Sequence, residues 1–355
     1  MTRHESRQCA TTVWTLWRWA LMRWRCGEVW RTRSPVSTRL NPLTRDPMSG
    51  TLPLVVALGD VDGAVVAPIL KPHARWVAEP SESDLTEAVG AIVRAHVVVD
   101  AAALDSMPAL RVIARTGVGT EKVDVAEATR RGIPVIITPG SNTHAVAEGA
   151  LAHLLTLTKA LPPLTSLVRD DEWSTRSQVT VGDLDGGVLA ILGYGRIGRR
   201  VGELAQAFGM SVIAYDPYVS EADVRLASSV QDAVASATHI SVHLPGTPET
   251  AGLISREIIE SLTPGTILVN LARGEVVDLD ALLWGLESGQ LAGVGLDVFP
   301  EEPPVHHPLF DHKNVVLSPH VMGLTTQSTA ETFRQAAAGI ADFLAGNTPE
   351  HVATA

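Results

Sequence analysis

The stretch Val188-Leu-Ala-Ile-Leu-Gly-Tyr-Gly-Arg-Ile-Gly198 runs from apolar residues into a glycine-rich turn. A second apolar run, from Val212 to Tyr215, follows and ends at Asp216. Between them, Val201 to Phe208 has the apolar spacing of an amphipathic helix. A strand, a glycine turn, a helix and a second strand ending in a carboxylate are typical of a βαβ unit that binds a dinucleotide. We therefore predict a Rossmann-like unit that begins near Val188.

The residues of this turn suit different contacts with a dinucleotide. Gly193 permits a tight turn, Gly195 lets the backbone approach a pyrophosphate, and Gly198 lets the helix pack close to the strand. The unpaired N–H groups at the helix N-terminus suit phosphate oxygens. Asp216 would accept hydrogen bonds from a ribose 2′-hydroxyl and repel a 2′-phosphate, which favours NAD over NADP. The alternatives are an ordinary glycine turn and a carboxylate that only caps a turn.

Residues 1–47 differ in composition from the rest of the 355-residue chain. They carry nine arginines against three acids, and they contain Cys9 and Cys26, the two cysteines of the sequence. Because the whole chain has a net charge of −11, the remaining body is strongly acidic, and we expect no nucleic-acid partner. The body has no cysteine for disulfides, which favours a cytoplasmic setting. No run approaches the roughly twenty apolar residues of a membrane span, so we expect no membrane partner.

Three interpretations of residues 1–47 are open. A secretory signal needs an unbroken apolar core, but Arg18, Arg23 and Arg25 interrupt the only suitable segment. A transit peptide suits the arginines but not the five tryptophans of this segment. We favour the third interpretation, in which translation starts at Met48 and the leader is not part of the functional fold.

Along the body, apolar runs of strand length alternate with helical patterns, which predicts parallel sheets. The predicted strands outside the βαβ unit are residues 54–58, 97–99, 112–114, 135–137, 239–243, 266–270, 293–298 and 315–317. We predict helices over residues 124–131 and 141–159, the second capped by Ser141 or Asn142 and ended by Leu161-Pro-Pro163. A last helix, residues 325–345, follows the nucleotide unit, and we expect it to pack back on the first domain.

Several motifs occur in order along residues 52–345. They are Arg115-Thr-Gly-Val-Gly119, Val146-Ala-Glu-Gly149, the glycine turn, His243-Leu-Pro245, Val269-Asn-Leu-Ala-Arg-Gly274, Asp297-Val-Phe-Pro-Glu-Glu-Pro303 and Ser318-Pro-His320. This ordered set resembles the D-isomer-specific 2-hydroxyacid dehydrogenase family. The resemblance implies an α/β fold of two Rossmann-like domains, with an NAD-binding domain (residues 151–322) inserted into a flavodoxin-like substrate domain (residues 52–150 and 323–355). It also implies NAD as the cofactor and a homodimer.

Reduction of a 2-keto acid needs a hydride, a proton for the carbonyl oxygen and a cation that binds the carboxylate. The resemblance makes His320 the acid/base, with Glu302 as its carboxylate partner. Arg273 would bind the substrate carboxylate and carbonyl, since its planar fork suits bidentate contacts. The alternatives are a structural histidine, a surface arginine in an ion pair, and Glu301 in place of Glu302.

Other site residues are implied by the resemblance alone. Val118 and Gly119 would present backbone N–H groups to the substrate carboxylate, with Asn142 nearby. Asp297 would hold the nicotinamide carboxamide. The remaining residues predicted to contact the cofactor are Arg196, Ile197, Leu244, Leu271, Ala272, Arg273, His320 and Gly323.

We expect no metal site, although His306 and His307 are adjacent in the sequence. Neighbouring histidines point in different directions, and no cysteine or carboxylate set completes a ligand cage. Thr238 stands where many relatives have aspartate, and its sequence context suggests no function for it.

Phosphoglycerate dehydrogenases of this family carry an arginine after the strand that we equate with residues 97–99, whereas this chain has Asp100, Ala101 and Ala102. We therefore expect a small unphosphorylated acid such as glyoxylate or hydroxypyruvate, with 3-phosphoglycerate as the alternative. We also expect no regulatory domain after Ala355. The same scaffold serves NAD-binding transcriptional co-repressors, which is the non-enzymatic alternative. Formate dehydrogenase is a weaker one, because it would need glutamine in place of Glu302.

Overall fold

The computed structural model describes residues 51–354. The predictions for residues 1–47 and for a start at Met48 lie outside the described residues. Within them, the chain forms two parallel sheets with helices packed against them.

The first sheet has five parallel strands in the order β2-β1-β3-β4-β5. The strands are β1 (Leu54–Leu58), β2 (Arg75–Val77), β3 (Ala88–Val93), β4 (Val112–Arg115) and β5 (Val135–Ile136). The helices between them are α1 (Gly63–Leu70), α2 (Glu82–Glu87), α3 (Ala101–Asp105) and α4 (Val125–Arg130). Strands β1, β3 and β4 are almost wholly buried apolar runs, as expected for a sheet covered on both faces.

The second sheet has seven parallel strands in the order β12-β11-β10-β9-β6-β7-β8. The strands are β6 (Val188–Leu192), β7 (Ser211–Tyr215), β8 (Arg225–Leu226), β9 (His239–Val242), β10 (Thr266–Asn270), β11 (Leu291–Leu296) and β12 (Val315–Leu317). Its helices are α7 (Arg196–Ala207), α8 (Val230–Val234), α9 (Arg256–Glu260) and α10 (Leu279–Glu287). The chain builds outward from β6 in one direction and then returns to its other side, which creates a ligand crevice at the carboxyl ends of β6 and β9.

Three helices lie outside these alternating units: α5 (Thr143–Thr158), α6 (Leu161–Arg169) and α11 (Thr326–Leu344). Helix α5 packs on α7 and β10 of the seven-stranded sheet, whereas α11 packs on α1 and β4. The predicted return of the last helix to the first sheet is therefore confirmed. Among residues 51–354, no helix is both long and apolar enough to cross a membrane.

Two sequence predictions about the first half of the body are wrong. Residues 97–99 are not a strand, because Val99 makes only an isolated bridge to Val123, and the corresponding strand is β3. Leu161-Pro-Pro163 does not simply end a helix but begins α6, since proline is tolerated in a first helical turn. The break before it is at Ala160, which has a left-handed backbone with φ of 48°.

The strand that we had placed at residues 97–99 is β3, and a different residue follows it. The residue directly after β3 is Arg94, so Asp100 does not occupy the position that we assigned to it. Instead, Asp100 is the N-cap of α3, where its carboxylate accepts a hydrogen bond from the Ala103 N–H at 2.9 Å. Asp100 therefore gives no reason to exclude a phosphorylated substrate, because it caps a helix and does not follow the strand.

Candidate active site

The glycine turn after β6 is shaped by close backbone contacts. Gly193 has a φ of +98°, and a Cβ there would lie 2.6 Å from the carbonyl of His243. A Cβ on Gly198 would collide with the Gly193 carbonyl oxygen, so glycine lets α7 approach β6. A Cβ on Gly195, by contrast, would meet nothing within 4 Å. The backbone at Gly195 therefore has an open face that a pyrophosphate can approach.

Helix α7 starts at Arg196, and its N-cap Gly195 supplies no side-chain hydrogen bond. The first-turn N–H groups at Arg196 and Ile197 therefore receive no side-chain cap, and such N–H groups suit a phosphate. Asp216 lies just beyond β7, where its carboxylate accepts hydrogen bonds from the N–H groups of Tyr194 and Tyr218, both at 2.9 Å. One bond on each oxygen leaves further acceptor capacity for ribose hydroxyls. The residues present therefore fit a dinucleotide.

His320 and Glu302 form a direct pair. His320 Nδ1 lies 2.7 Å from Glu302 Oε2, and the other carboxylate oxygen of Glu302 accepts the Phe299 N–H at 3.1 Å. Half of the His320 side chain is exposed. Because Nδ1 is taken by Glu302, Nε2 is the ring nitrogen left to exchange a proton with a ligand. The pair borders a cavity of about 450 Å³ that is also lined by Phe299 and the prolines after Glu302.

A buried carboxylate holds the loop that carries His320. Asp297 is 2% exposed, and its carboxylate accepts hydrogen bonds from Ser318 Oγ at 2.6 Å and from the N–H groups of Val321 and Met322. His320 itself has a left-handed backbone with φ of 53°. The structure thus gives Asp297 a local role, because it secures a strained loop on both sides of His320.

His153 lies beneath this loop. The Nε2 of this buried histidine is 3.2 Å from Ser318 Oγ. A Cβ on Gly295 would lie 2.7 Å from His153 Nδ1, so the glycine makes room for the imidazole. Burial lowers the pKa of His153, although the nearby Asp297 carboxylate opposes that shift. The ring therefore supports the loop as a neutral group.

Arg273 follows β10 in a turn that local contacts define. The side chain of the buried Asn270 donates to the Arg273 carbonyl at 2.8 Å and accepts the Ala272 N–H at 3.0 Å. A Cβ on Gly274 would collide with the Phe299 backbone, so the next residue must be glycine. The Arg273 guanidinium donates to the Ala272 carbonyl at 2.8 Å and forms an ion pair with Glu121.

The Glu121–Arg273 ion pair lies next to the predicted substrate loop, which is the turn that contains Val118 and Gly119. A Cβ on Gly119 would lie 2.8 Å from Arg273 Nη2 and would collide with the Glu121 carboxylate. Val118 is 48% exposed at the same turn. The structure therefore brings together three residues that the sequence assigned to the substrate carboxylate.

Two more arginines add positive charge here. Burial lowers the pKa of Arg115. The Glu121 carboxylate opposes this shift, whereas the positive charges of Arg273 and Arg94 add to it. Arg94 packs its guanidinium 5.2 Å from the centre of the Phe333 ring on α11. Its Nε is buried without a hydrogen-bond partner among residues 51–354. The guanidinium groups of Arg94, Arg115 and Arg273 therefore influence one another, with the Glu121 carboxylate among them, and form a cationic edge beside the predicted substrate loop.

The other predicted site residues are distributed around the same region. Asn142 is the N-cap of α5 without a side-chain capping bond, and a Cβ on Gly323 would lie 3.0 Å from its Nδ2. Leu244 and Leu271 are buried after β9 and β10, and Ala272 is half-buried. His306 and His307 contact two different carboxylates, Asp311 and Asp280. Within residues 51–354, no cluster of histidine, cysteine or acidic residues is placed to hold a metal ion.

Sequence reasoning missed Arg94, Glu121, His153 and Ser318. Arg94 had a usable signal, since it is a charged residue that directly follows an apolar run. Ser318 lies inside a quoted motif, but its bond to Asp297 joins distant parts of the chain.

Thr238 has a structural role, because its hydroxyl accepts the Val188 N–H at 2.9 Å and lies 2.8 Å from His239 Nδ1.

Comparison with known proteins finds relatives across most of the chain. Residues 151–322 match the family model of the D-isomer specific 2-hydroxyacid dehydrogenase NAD binding domain, which confirms the prediction of NAD as cofactor. D-3-phosphoglycerate dehydrogenase of Mycobacterium tuberculosis is 40% identical over 300 residues, which make up 80% of this chain and 55% of the relative. The chain thus spans about half the length of the curated relatives that it matches.

Solved structures show the same two-sheet α/β fold, as predicted. The TT0316 protein from Thermus thermophilus is 31% identical, with a TM-score of 0.76 that covers 85% of this chain and 100% of that one. D-lactate dehydrogenase from Aquifex aeolicus, solved with NAD and lactic acid, is 28% identical, with a TM-score of 0.71 and coverage of 83% and 96%. The resemblance found in the motifs is therefore confirmed, and this chain belongs to the D-isomer specific 2-hydroxyacid dehydrogenase family.

Proposed function

We propose that the protein is an NAD-dependent oxidoreductase that interconverts a small D-2-hydroxy acid and its 2-keto acid. The observation that carries this proposal is the convergence of the His320–Glu302 pair, Arg273 and an open glycine turn on one region of the fold. These are the parts that the reaction needs: a proton donor, a cation for the carboxylate and a site for the cofactor.

The roles of the side chains follow from their contacts. When bound, NADH would supply the hydride. His320 Nε2 would donate the proton to the carbonyl oxygen, while Glu302 fixes the ring through Nδ1. Arg273 would bind the carboxylate and polarise the carbonyl, with the backbone N–H groups at Val118 and Gly119 beside it. In the oxidative direction, His320 would accept the hydroxyl proton.

The identity of the acid depends on the cationic edge of the site. Glyoxylate and hydroxypyruvate each have one carboxylate, and Arg273 and the Gly119 backbone would be enough to bind it. Arg94 and Arg115 provide further positive charge for a second anionic group, since the charge of Arg94 acts on Arg115 together with that of Arg273. This observation favours a second candidate function, the oxidation of 3-phosphoglycerate to 3-phosphohydroxypyruvate. The name of the Mycobacterium tuberculosis relative supports the same candidate.

The experiment that tests this proposal measures NADH oxidation by the full chain with a panel of 2-keto acids. The panel contains glyoxylate, hydroxypyruvate, pyruvate, a branched 2-keto acid and 3-phosphohydroxypyruvate, with NADPH in parallel. Rapid NADH-dependent turnover of one acid supports the enzymatic proposal and identifies the substrate. If NADH binds but none of the acids turns over, the co-repressor-like scaffold becomes the better explanation.

The family resemblance also supports a homodimer, and the cysteine-free body supports a cytoplasmic location. Light scattering after size-exclusion chromatography tests the dimer directly, since a monomeric mass would contradict it.

A further inference from the structure

One ion pair connects the two sheets beside the predicted substrate site. Glu121 lies in the loop after β4 of the five-stranded sheet, and Arg273 lies in the loop after β10 of the seven-stranded sheet. Glu121 Oε1 accepts a hydrogen bond from Arg273 Nε at 3.1 Å, and Arg273 Nη2 lies 3.0 Å from the same oxygen in the ion pair. The pair therefore joins residues that are 152 positions apart in the sequence.

The contacts of Arg273 account for part of its hydrogen-bonding capacity. A guanidinium has five N–H donors in a rigid plane. Nε donates to Glu121, and one N–H of Nη1 donates to the Ala272 carbonyl. The other three N–H groups, one on Nη1 and two on Nη2, have no acceptor among residues 51–354, and one from each nitrogen would match the spacing of two ligand oxygens.

The lack of a side chain at Gly119 is what permits this arrangement. A Cβ there would collide with the Glu121 carboxylate and would lie 2.8 Å from Arg273 Nη2. Burial opposes the ionised form of Glu121, but a backbone hydrogen bond and the charges of Arg273 and Arg115 outweigh it and lower its pKa. Glu121 thus meets Arg273 as a carboxylate.

A role in stability alone does not explain this pair. The side chain of Glu121 is 63% exposed and that of Arg273 is 31% exposed. Ion pairs with such exposure typically contribute little to stability, because solvent screens the charges. The more informative property of the pair is its geometry, since the bond to Glu121 fixes one edge of a planar group and leaves N–H groups on its other nitrogens without an acceptor among residues 51–354.

We propose that Glu121 is a positioning residue that holds the guanidinium of Arg273 across the two sheets, so that the free pair of N–H groups binds the substrate carboxylate. The inference rests on the proposed function for the identity of the ligand. It predicts that affinity for a small carboxylate depends on Glu121, although Glu121 itself does not contact the ligand.

The test measures the binding of oxalate, a planar two-carbon dianion, to the NADH-loaded protein by calorimetry. Glu121→Ala should weaken oxalate binding about tenfold, the scale of coupling between contacting residues, while Glu121→Gln should lose less because its amide oxygen still accepts hydrogen bonds. NADH affinity should change by less than about twofold. Glu260→Gln is the matched control, since Glu260 also accepts a hydrogen bond from an arginine Nε, at 2.9 Å on exposed α9.

A second background separates positioning from a general electrostatic effect. In an Arg273→Lys protein there is no planar fork to orient, so Glu121→Ala should no longer weaken oxalate binding. The proposal is overturned if Glu121→Ala leaves oxalate affinity unchanged in the wild-type background, or if it has the same effect in both backgrounds. It is also overturned if the wild-type protein does not bind oxalate. Because binding is read without turnover, failure of every keto acid to react would reject the proposed function and leave this test intact.

Discussion

The buried histidine at the start of β9 makes a quantitative prediction about stability in acid. His239 is 5% exposed and lies between two hydroxyls, with Nε2 at 3.0 Å from Thr158 Oγ1 and Nδ1 at 2.8 Å from Thr238 Oγ1. Neutral imidazole satisfies both contacts, since one nitrogen donates and the other accepts. Burial lowers the pKa of His239 to about 4.

The sign and size of the effect follow from this shift. An unfolded histidine has a pKa of about 6.5, so between pH 6.5 and 4 the unfolded chain binds a proton that the folded protein does not. The stabilisation is therefore present above pH 6.5, is lost progressively as the pH falls from 6.5 to 4, and is gone below 4. The shift corresponds to about 3 kcal/mol in full, of which about 2 kcal/mol is lost between pH 7 and pH 5.

Urea unfolding followed by circular dichroism at pH 7 and pH 5 measures this loss. In His239→Asn, which cannot titrate here, the decrease in unfolding free energy between the two pH values should be smaller than in the wild type by about 2 kcal/mol. His96→Asn is the control, because His96 is exposed. An identical pH-dependent loss in His239→Asn and wild type would refute the reasoning, whatever the absolute stability of the variant.

Three further predictions concern the site. His320→Ala should reduce turnover roughly 10²- to 10⁴-fold with little change in NADH affinity measured by fluorescence, and unchanged turnover would remove the acid/base assignment. Asp216→Ser should lower the ratio of kcat/KM for NADH over NADPH, because it removes a ribose acceptor and a charge that repels the 2′-phosphate; a constant ratio would contradict this. Arg94→Ala should raise KM for 3-phosphohydroxypyruvate about 10- to 100-fold but not that for glyoxylate, and equal effects would exclude a phosphate contact.

The nucleotide half of the fold was predictable because its signals are local. Strand β6, the turn at Gly193 and the carboxylate of Asp216 lie close together in the sequence. An apolar run marks the strand, glycine marks the turn, and the acidic residue marks the end of the next strand. The pairs that complete the site were not predictable in this way. Glu121 meets Arg273, and Ser318 meets Asp297, only because two sheets or two loops fold together. The motifs marked Arg273 and Asp297 as candidates but did not indicate that Glu121 and Ser318 are their partners.

The first sheet illustrates how tertiary packing can override a local pattern. Residues 97–99 are all valine, a strong strand former, whereas β3 contains Gly90, which weakens an isolated strand. In the structure, a Cβ on Gly90 would lie 3.2 Å from Val55 and Val112 side chains and 3.5 Å from Ile340 of α11. The glycine is therefore compatible with a crowded position between two strands and a helix. No residue near β3 in the sequence indicates this packing.

The position of β3 also bears on the substrate. Residues that bind ligands in parallel sheets are expected directly after the strands, so an error in strand position changes which side chain is assigned to the site. Placing the strand at residues 97–99 assigned Asp100, an anion, whereas β3 assigns Arg94, a cation beside Arg115. The motif residues remain the same in both cases, and under the proposed function they would serve hydride transfer to any 2-keto acid. Arg94 lies outside those motifs, so Arg94→Ala is expected to change the relative KM values for phosphorylated and unphosphorylated acids without abolishing turnover of glyoxylate.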